Sequence, residues 1–170
     1  VFDSSHELLG FMFGDRGAAE AALTKLLARP GGHFGYRHVT VMLAAEVIVG
    51  VELGSDRTTL SSEELAGTLN IFRSTPASRW PHIAWNVGRA LSGYVPPPSR
   101  DAWYINNIAV DGTRRGAGLG MKLLEHVEAR ARATGFRCIE LDVTAPNEGA
   151  IRFYRKHGFR PVSGSGTDTL

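Results

Sequence analysis

Residues 103–134 read WYINNIAVDGTRRGAGLGMKLLEHVEARARAT, and they decide the fold class. Trp103 to Val110 is rich in aromatic and β-branched residues and reads as a strand. From Gly116 to Thr134, Leu119, Leu123, Leu124, Val127 and Ala131 recur at helical spacing. Lys122, Glu125, Glu128 and Arg132 fall on the opposite side, so the segment predicts an amphipathic helix. Gly135 stands where the left-handed C-terminal cap of a helix belongs, with apolar Phe136 beyond it. A second strand is expected over Arg137 to Thr144, with Ile139, Leu141 and Val143 on one face. Asn147 then caps a helix from Glu148 to His157, which Gly158-Phe159 closes in the same manner. Strand, helix, strand, helix implies two parallel strands joined by a right-handed crossover. The class is α/β.

Upstream, Gly17 to Arg29 reads as a helix, with Ala18, Ala22, Leu23, Leu26 and Leu27 on one face and Pro30-Gly31-Gly32 ending it. His38 to Leu43 and Glu46 to Leu53 read as strands. The link at Ala44-Ala45 predicts a tight antiparallel hairpin, without the Asn-Gly or Asp-Gly that such turns prefer. Between about 54 and 99 a helical insertion is expected within a single domain spanning 1–170, too short to own a core. Ser61 with Glu64 gives a capping-box start for a helix running to about Phe72. A second helix follows Pro76, and Pro96-Pro97-Pro98 ends it.

The chain has 170 residues, 43% apolar and 21% charged, an ordinary globular balance. Its net charge of +2 comes from basic residues spread along the chain, unlike the clustered stripe of a nucleic-acid binder, so no nucleic-acid partner is expected. No apolar run reaches the roughly 18–20 residues of a membrane span, and Phe11-Met12-Phe13 lacks the flanks of a secretory signal. No membrane partner is expected. The one cysteine, Cys138, forms no internal disulfide, fits a reducing, cytoplasmic setting and is expected in the core. The six histidines form no ligand-spaced pair, so no metal is expected. The chain opens on Val1, which leaves room for residues upstream.

The segment from Asp111 to Gly120 places backbone N–H groups at the start of a helix, where they have no intrahelical partner and the dipole favours an anion. Glycines let a diphosphate approach the backbone, and Arg115 adds a countercharge. No Gly-Lys-Ser/Thr follows, so this is not a nucleoside-triphosphate loop. Dinucleotide binding, with Asp142 on a ribose, fails because Met121 stands where the third glycine belongs. The approach from strand to first glycine is also too long. A nicotinamide oxidoreductase is set aside on these grounds.

Arg-x-x-Gly-x-Gly, met by Arg115, Gly118 and Gly120, resembles the pyrophosphate loop of the GNAT superfamily of N-acetyltransferases. Ile105 to Val110 before it, and Asn147-x-x-Ala150-x-x-Phe153-Tyr154-x-x-x-Gly158-Phe159 after it, stand in that family's places. These segments look most like the bacterial ribosomal-protein alanine acetyltransferases. The resemblance implies a GNAT fold: a mixed central sheet with a splayed central strand pair and flanking helices. It implies acetyl-coenzyme A as cosubstrate and a primary amine as acceptor. Backbone at Ile108, Ala109 and Val110 would hold the acetyl-pantetheine arm. The amides of Arg115, Gly116, Ala117, Gly118, Leu119 and Gly120 would hold the pyrophosphate, and Asn147 would contact the cofactor. Tyr154 matches the tyrosine that protonates the leaving thiolate. The attacking amine needs a base, since a lysine-like amine has a pKa of about 10.4. Asp142, where the alanine acetyltransferases carry a glutamate, is the first choice and Glu140 the second. Asn106 and Asn107 stand as residues lining the amine site or as hydrogen-bonding to neighbouring backbone, and Trp80, Trp85 and Tyr94 as an acceptor pocket or as packing of the insertion onto the sheet. A homodimer is the expectation by analogy.

The family opens with a strand before its first helix and closes with a strand pair after its last. Neither is evident here, so either the chain is trimmed at both ends or its sheet is smaller. The rival reading is a non-catalytic sensor module that binds acyl-coenzyme A without turnover.

Overall fold

The computed structural model describes residues 6–91, 97–144 and 146–162. Its elements are α1 (His6–Phe13), α2 (Arg16–Leu27), β1 (Val39–Ala44), β2 (Val47–Asp56), α3 (Arg57–Ser74), α4 (Trp80–Leu91), β3 (Ala102–Val110), α5 (Leu119–Ala133), β4 (Cys138–Leu141) and α6 (Glu148–Lys156). The strands form one mixed sheet in the order β1-β2-β3-β4. The β1–β2 and β2–β3 pairs are antiparallel, and β3–β4 is parallel, joined through α5. The expected α/β class and parallel pair are both present.

Local chemistry sets the ends of these elements. The hairpin turns at Ala45 and Glu46, both with positive φ (49° and 64°), the left-handed pair a two-residue turn needs, here without glycine. The helix starting at α3 begins earlier than the Ser61 box predicts. Asp56, the last residue of β2, accepts from the amides of Thr58 and Thr59 and caps the helix directly, which leaves Ser61 and Glu64 one turn inside it. Both expected glycine caps are present. Gly135 and Phe136 donate back to Arg132 and Ala131, and Gly158 and Phe159 to Arg155 and Tyr154.

Two apolar clusters result. Leu9 and Phe13 of α1, Ala22, Leu23 and Leu26 of α2, and Ile83 of α4 form one, with Ile71 and Phe72 of α3 at its margin. The helices between β2 and β3 therefore share a core with α1 and α2 and pack little on the sheet. The short run Phe11-Met12-Phe13 ends a helix that apolarity alone does not reveal. Arg79 binds this joint, pairing with Asp15 at 2.7 Å and donating to the Phe13 carbonyl at 2.7 Å. Ile105 of β3 with Leu124 and Val127 of α5 forms the second cluster, against which Leu141, Phe153 and Phe159 pack. Cys138 is not in either core; it opens β4 at the sheet edge and is exposed.

One charged side chain is fully buried in the sheet. Glu52 of β2, 0% exposed, pairs with Arg130 of α5 at 2.8 Å and accepts the Trp103 indole N–H at 3.0 Å. Arg130 lies 4.6 Å over the Trp103 ring and also donates to Thr40 of β1. Gly54 makes room for this group: a Cβ there would sit 2.1 Å from the Glu52 carboxylate and 2.5 Å from the Trp103 nitrogen. Removing one partner of a buried pair strands the other. Glu52→Ala is expected to cost about 3 kcal/mol in urea unfolding, the lower end of the range because Arg130 keeps some contact with water. Glu148→Ala, which removes an exposed pair with Arg152, leaves stability essentially unchanged.

Candidate active site between the parting strands

The sheet opens where β3 and β4 separate. Their ladder runs only from Ala102↔Cys138 to Ile105↔Leu141, whereas β3 stays paired with β2 as far as Val110. The register with β2 jumps at the same place: Gly54 faces Ile105 and Leu53 faces Asn107, so Asn106 is an extra residue without an opposite. A bulge of this kind bends its strand. The bend carries the second half of β3 away from β4, and β4 ends at Leu141 rather than at Thr144 as its apolar alternation predicts.

The gap is an open cleft walled by three pieces of chain. β3 contributes Ile105 to Ile108, the segment leaving β4 contributes Leu141, Asp142 and Val143, and α6 contributes Asn147, Ala150 and Tyr154. Asn106, Asn107, Ile108, Asp142, Asn147 and Tyr154, singled out in the sequence, meet here. The Asn106 side-chain amide nitrogen is buried and has no hydrogen-bond partner among the described residues. Asn107 is also buried, at 7% exposed. Asn147 caps α6, its Oδ1 accepting from Ala150 at 3.2 Å. The Tyr154 ring is held between Phe153 and Phe159, each 5.3 Å away between centroids. Burial pushes the Tyr154 hydroxyl up to about 12, so it stays protonated across the neutral range.

Asp142 accepts the Tyr104 hydroxyl on Oδ2 at 2.6 Å. Glu140 is engaged otherwise, its two oxygens accepting the amide and hydroxyl of Ser99. Tyr104 was not anticipated. The signal was present, since a residue two before Asn106 on a strand parallel to Glu140-x-Asp142 shares their sheet face.

Ala109 and Val110 carry β3 on to the glycine segment, pairing with Val51 and Gly50. Asp111 turns the chain by accepting from Thr113 and pairs with Arg114 at 3.7 Å, while the Arg115 side chain has no hydrogen-bond or ion-pair partner among the described residues. The helix starts at Leu119, later than the expected Gly116, because Gly116 and Gly118 are both left-handed (φ 82° and 74°). Gly118 is the N-cap and no side chain caps α5, so the first-turn amides at Leu119, Gly120 and Met121 are free to meet an anion. Trp80 and Trp85 do not reach the cleft. Trp80 packs edge-on against Phe72 and donates its indole N–H to the Phe72 carbonyl, and Trp85 of α4 is 68% exposed. Tyr94 lies outside the described residues. No group of His, Cys, Asp or Glu among the described residues is placed to hold a metal ion, and no helix there is long and apolar enough to cross a membrane.

Comparison with known proteins agrees with this geometry. The model of the acetyltransferase (GNAT) family matches residues 56–159, more than half of the chain. An L-2,4-diaminobutyric acid acetyltransferase of Shouchella clausii is 30% identical over 66 residues, 39% of this chain and 37% of that protein. An uncharacterised N-acetyltransferase of Methanocaldococcus jannaschii is 40% identical over 60 residues, 35% of this chain and 26% of that protein. The chain thus spans less than half the length of the curated relatives it matches. The solved structure of an N-acetyltransferase from Staphylococcus aureus Mu50 superposes with a TM-score of 0.65 at 21% identity, covering 85% of this chain and 72% of that one, and so shares the fold.

Tyr154 in the cleft and Tyr104 against Asp142 give the site a signature in alkali. Burial raises Tyr154, and burial together with the Asp142 and Glu140 carboxylates raises Tyr104 further. The folded chain therefore holds both protons more tightly than an unfolded one, where tyrosine ionises near about pH 10. Their contribution to stability is fully present below about pH 10; that of Tyr154 is lost as pH rises through about 12, and that of Tyr104 higher still. Denaturant unfolding across that window is expected to show falling stability, and Tyr154→Phe to flatten the fall.

Proposed function

Because the chain belongs to the acetyltransferase (GNAT) family, we propose that it transfers an acetyl group from acetyl-coenzyme A to a primary amine. The observation that carries this reading is the cleft between β3 and β4, with a protonated tyrosine in its wall and an uncapped, glycine-lined helix start following the same strand. A thioester on a pantetheine arm fits a gap lined by unpaired strand backbone, and a diphosphate fits the segment Arg115 to Gly120, where the amides of Leu119 and Gly120 are uncapped and those of Arg115 and Ala117 donate to Gly112 and Arg114. Within this reading the arm runs along Ile108, Ala109 and Val110, Arg115 offers its charge to the diphosphate, and Asn147 contacts the cofactor.

The amine enters as an ammonium and gives a proton to Asp142, whose free oxygen Oδ1 serves as the base. The nitrogen attacks the thioester carbon, and N–H donors in the cleft stabilise the oxyanion. As the carbon–sulfur bond breaks, the Tyr154 hydroxyl gives its proton to the departing sulfur. The occupied oxygens of Glu140 favour Asp142 over Glu140. Asn106 and Asn107 line the amine side of the gap. The diaminobutyric acid acetyltransferases suggest a small diamino acid as acceptor, and the likeness to ribosomal-protein alanine acetyltransferases suggests a peptide N-terminus.

The test is coenzyme A release with a panel of amines that includes both. Tyr154→Phe is expected to lower kcat about 100-fold or more while leaving the KM for acetyl-coenzyme A unchanged. Gly118→Ala forces a side chain into the left-handed region and is expected to weaken coenzyme A binding about tenfold, read by calorimetry. A protein that binds the cofactor while no amine raises turnover above hydrolysis is the acyl-coenzyme A sensor instead.

A further inference from the structure

We propose that Tyr104 is the positioning residue for the carboxylate of Asp142, an inference that rests on reading Asp142 as the base. Asp142 stands one residue beyond the end of β4, where no ladder holds the chain. Its backbone neighbours Leu141 and Val143 set the path, but nothing in the sheet fixes the torsion of its side chain. Tyr104 does. It sits on β3 opposite Glu140, inside the last paired stretch, and its hydroxyl reaches diagonally to donate to Asp142 Oδ2 at 2.6 Å.

The geometry has three consequences. One carboxylate oxygen is fixed, so the other, Oδ1, is directed by the same bond and is without a partner among the described residues. The donor keeps its proton, because burial and the two nearby carboxylates oppose ionisation of the Tyr104 phenol. The bond therefore presents an O–H to Oδ2 and holds the carboxylate in one orientation. The anchor itself is rigid, since Tyr104 pairs with Ser55 across the β2–β3 ladder and with Glu140 across the β3–β4 ladder. Glu140, the other carboxylate on that face, is tied to Ser99 and cannot take the place of Asp142 without releasing that loop. Tyr104 thus extends the β3–β4 connection by one side-chain bond past the point where the strands part, and it aims a carboxylate into the opening.

Four proteins test this: wild type, Tyr104→Phe, Asp142→Asn and the double variant. Each is assayed for kcat with the best amine of the panel, KM for acetyl-coenzyme A and melting temperature. Asp142→Asn is expected to lose about 100-fold in kcat, as removal of a general base does. Tyr104→Phe is expected to lose about tenfold in kcat, the lower range for one hydrogen bond to a charged group, with KM for acetyl-coenzyme A and melting temperature unchanged. The double variant is expected to match Asp142→Asn alone, because Tyr104 acts only through that carboxylate. Losses that multiply in the double variant overturn the proposal, as does a Tyr104→Phe variant that loses cofactor affinity and melting temperature along with kcat. If Asp142→Asn is impaired and Tyr104→Phe is not, the positioning role fails while the base stands. If Asp142→Asn turns over like wild type, the base reading fails and the role of Tyr104 with it.

Discussion

β3 must keep a partner along the whole of one edge and lose it halfway along the other. Pairing with β2 to Val110 satisfies its backbone on that side, while the ladder to β4 stops at Ile105. Unpaired strand backbone is costly in a dry interior and useful at an opening, where a ligand or water can bond to it. The extra residue at Asn106 brings this about by bending the strand at the point where pairing ceases. Asn106, Asn107, Asp142, Asn147 and Tyr154 border the resulting gap.

A strand bent in its middle needs stiff support, and the Glu52 group supplies it from the opposite side. The carboxylate of β2 joins Arg130 of α5 and the indole of β3, and through Arg130 reaches Thr40 of β1. Three strands and the crossover helix are fastened together just before the bulge. A buried charge is tolerable because each oxygen of Glu52 has a donor. Gly54 is the companion of this arrangement, since any side chain there would enter the space of the carboxylate.

The cleft divides its chemistry between its walls. Tyr154, half-buried beside the Phe153 and Phe159 rings, holds its proton tightly on the α6 side. Asp142, held by Tyr104, offers an acceptor on the β4 side. The glycine segment continues from β3 to a helix whose first amides have no capping side chain. In the proposed reaction these three pieces of chain would supply the proton donor, the proton acceptor and the anion seat. The helices between β2 and β3 contribute a core shared with α1 and α2, so Trp80 and Trp85 belong to that packing and to the surface and not to the cleft.

Much of this was legible in the chain alone. Glycine caps at Gly135 and Gly158, the helix at α5, the strand at β3 and the Asn147 cap are local devices, set by periodicity and by the bonds of a few neighbouring residues. Local signals also misled: the Ser61 box was outcompeted by Asp56, which ends a strand and starts a helix at once. The apolar alternation of residues 139–143 overran the end of β4. Where two strands part, which carboxylate keeps a free oxygen, and that Tyr104 faces Asp142 are questions of register between residues nearly forty positions apart. Periodicity names the face a side chain occupies, but only the paired sheet decides its neighbour across the strand, because register is set by long-range packing and by a bulge that no local pattern announces.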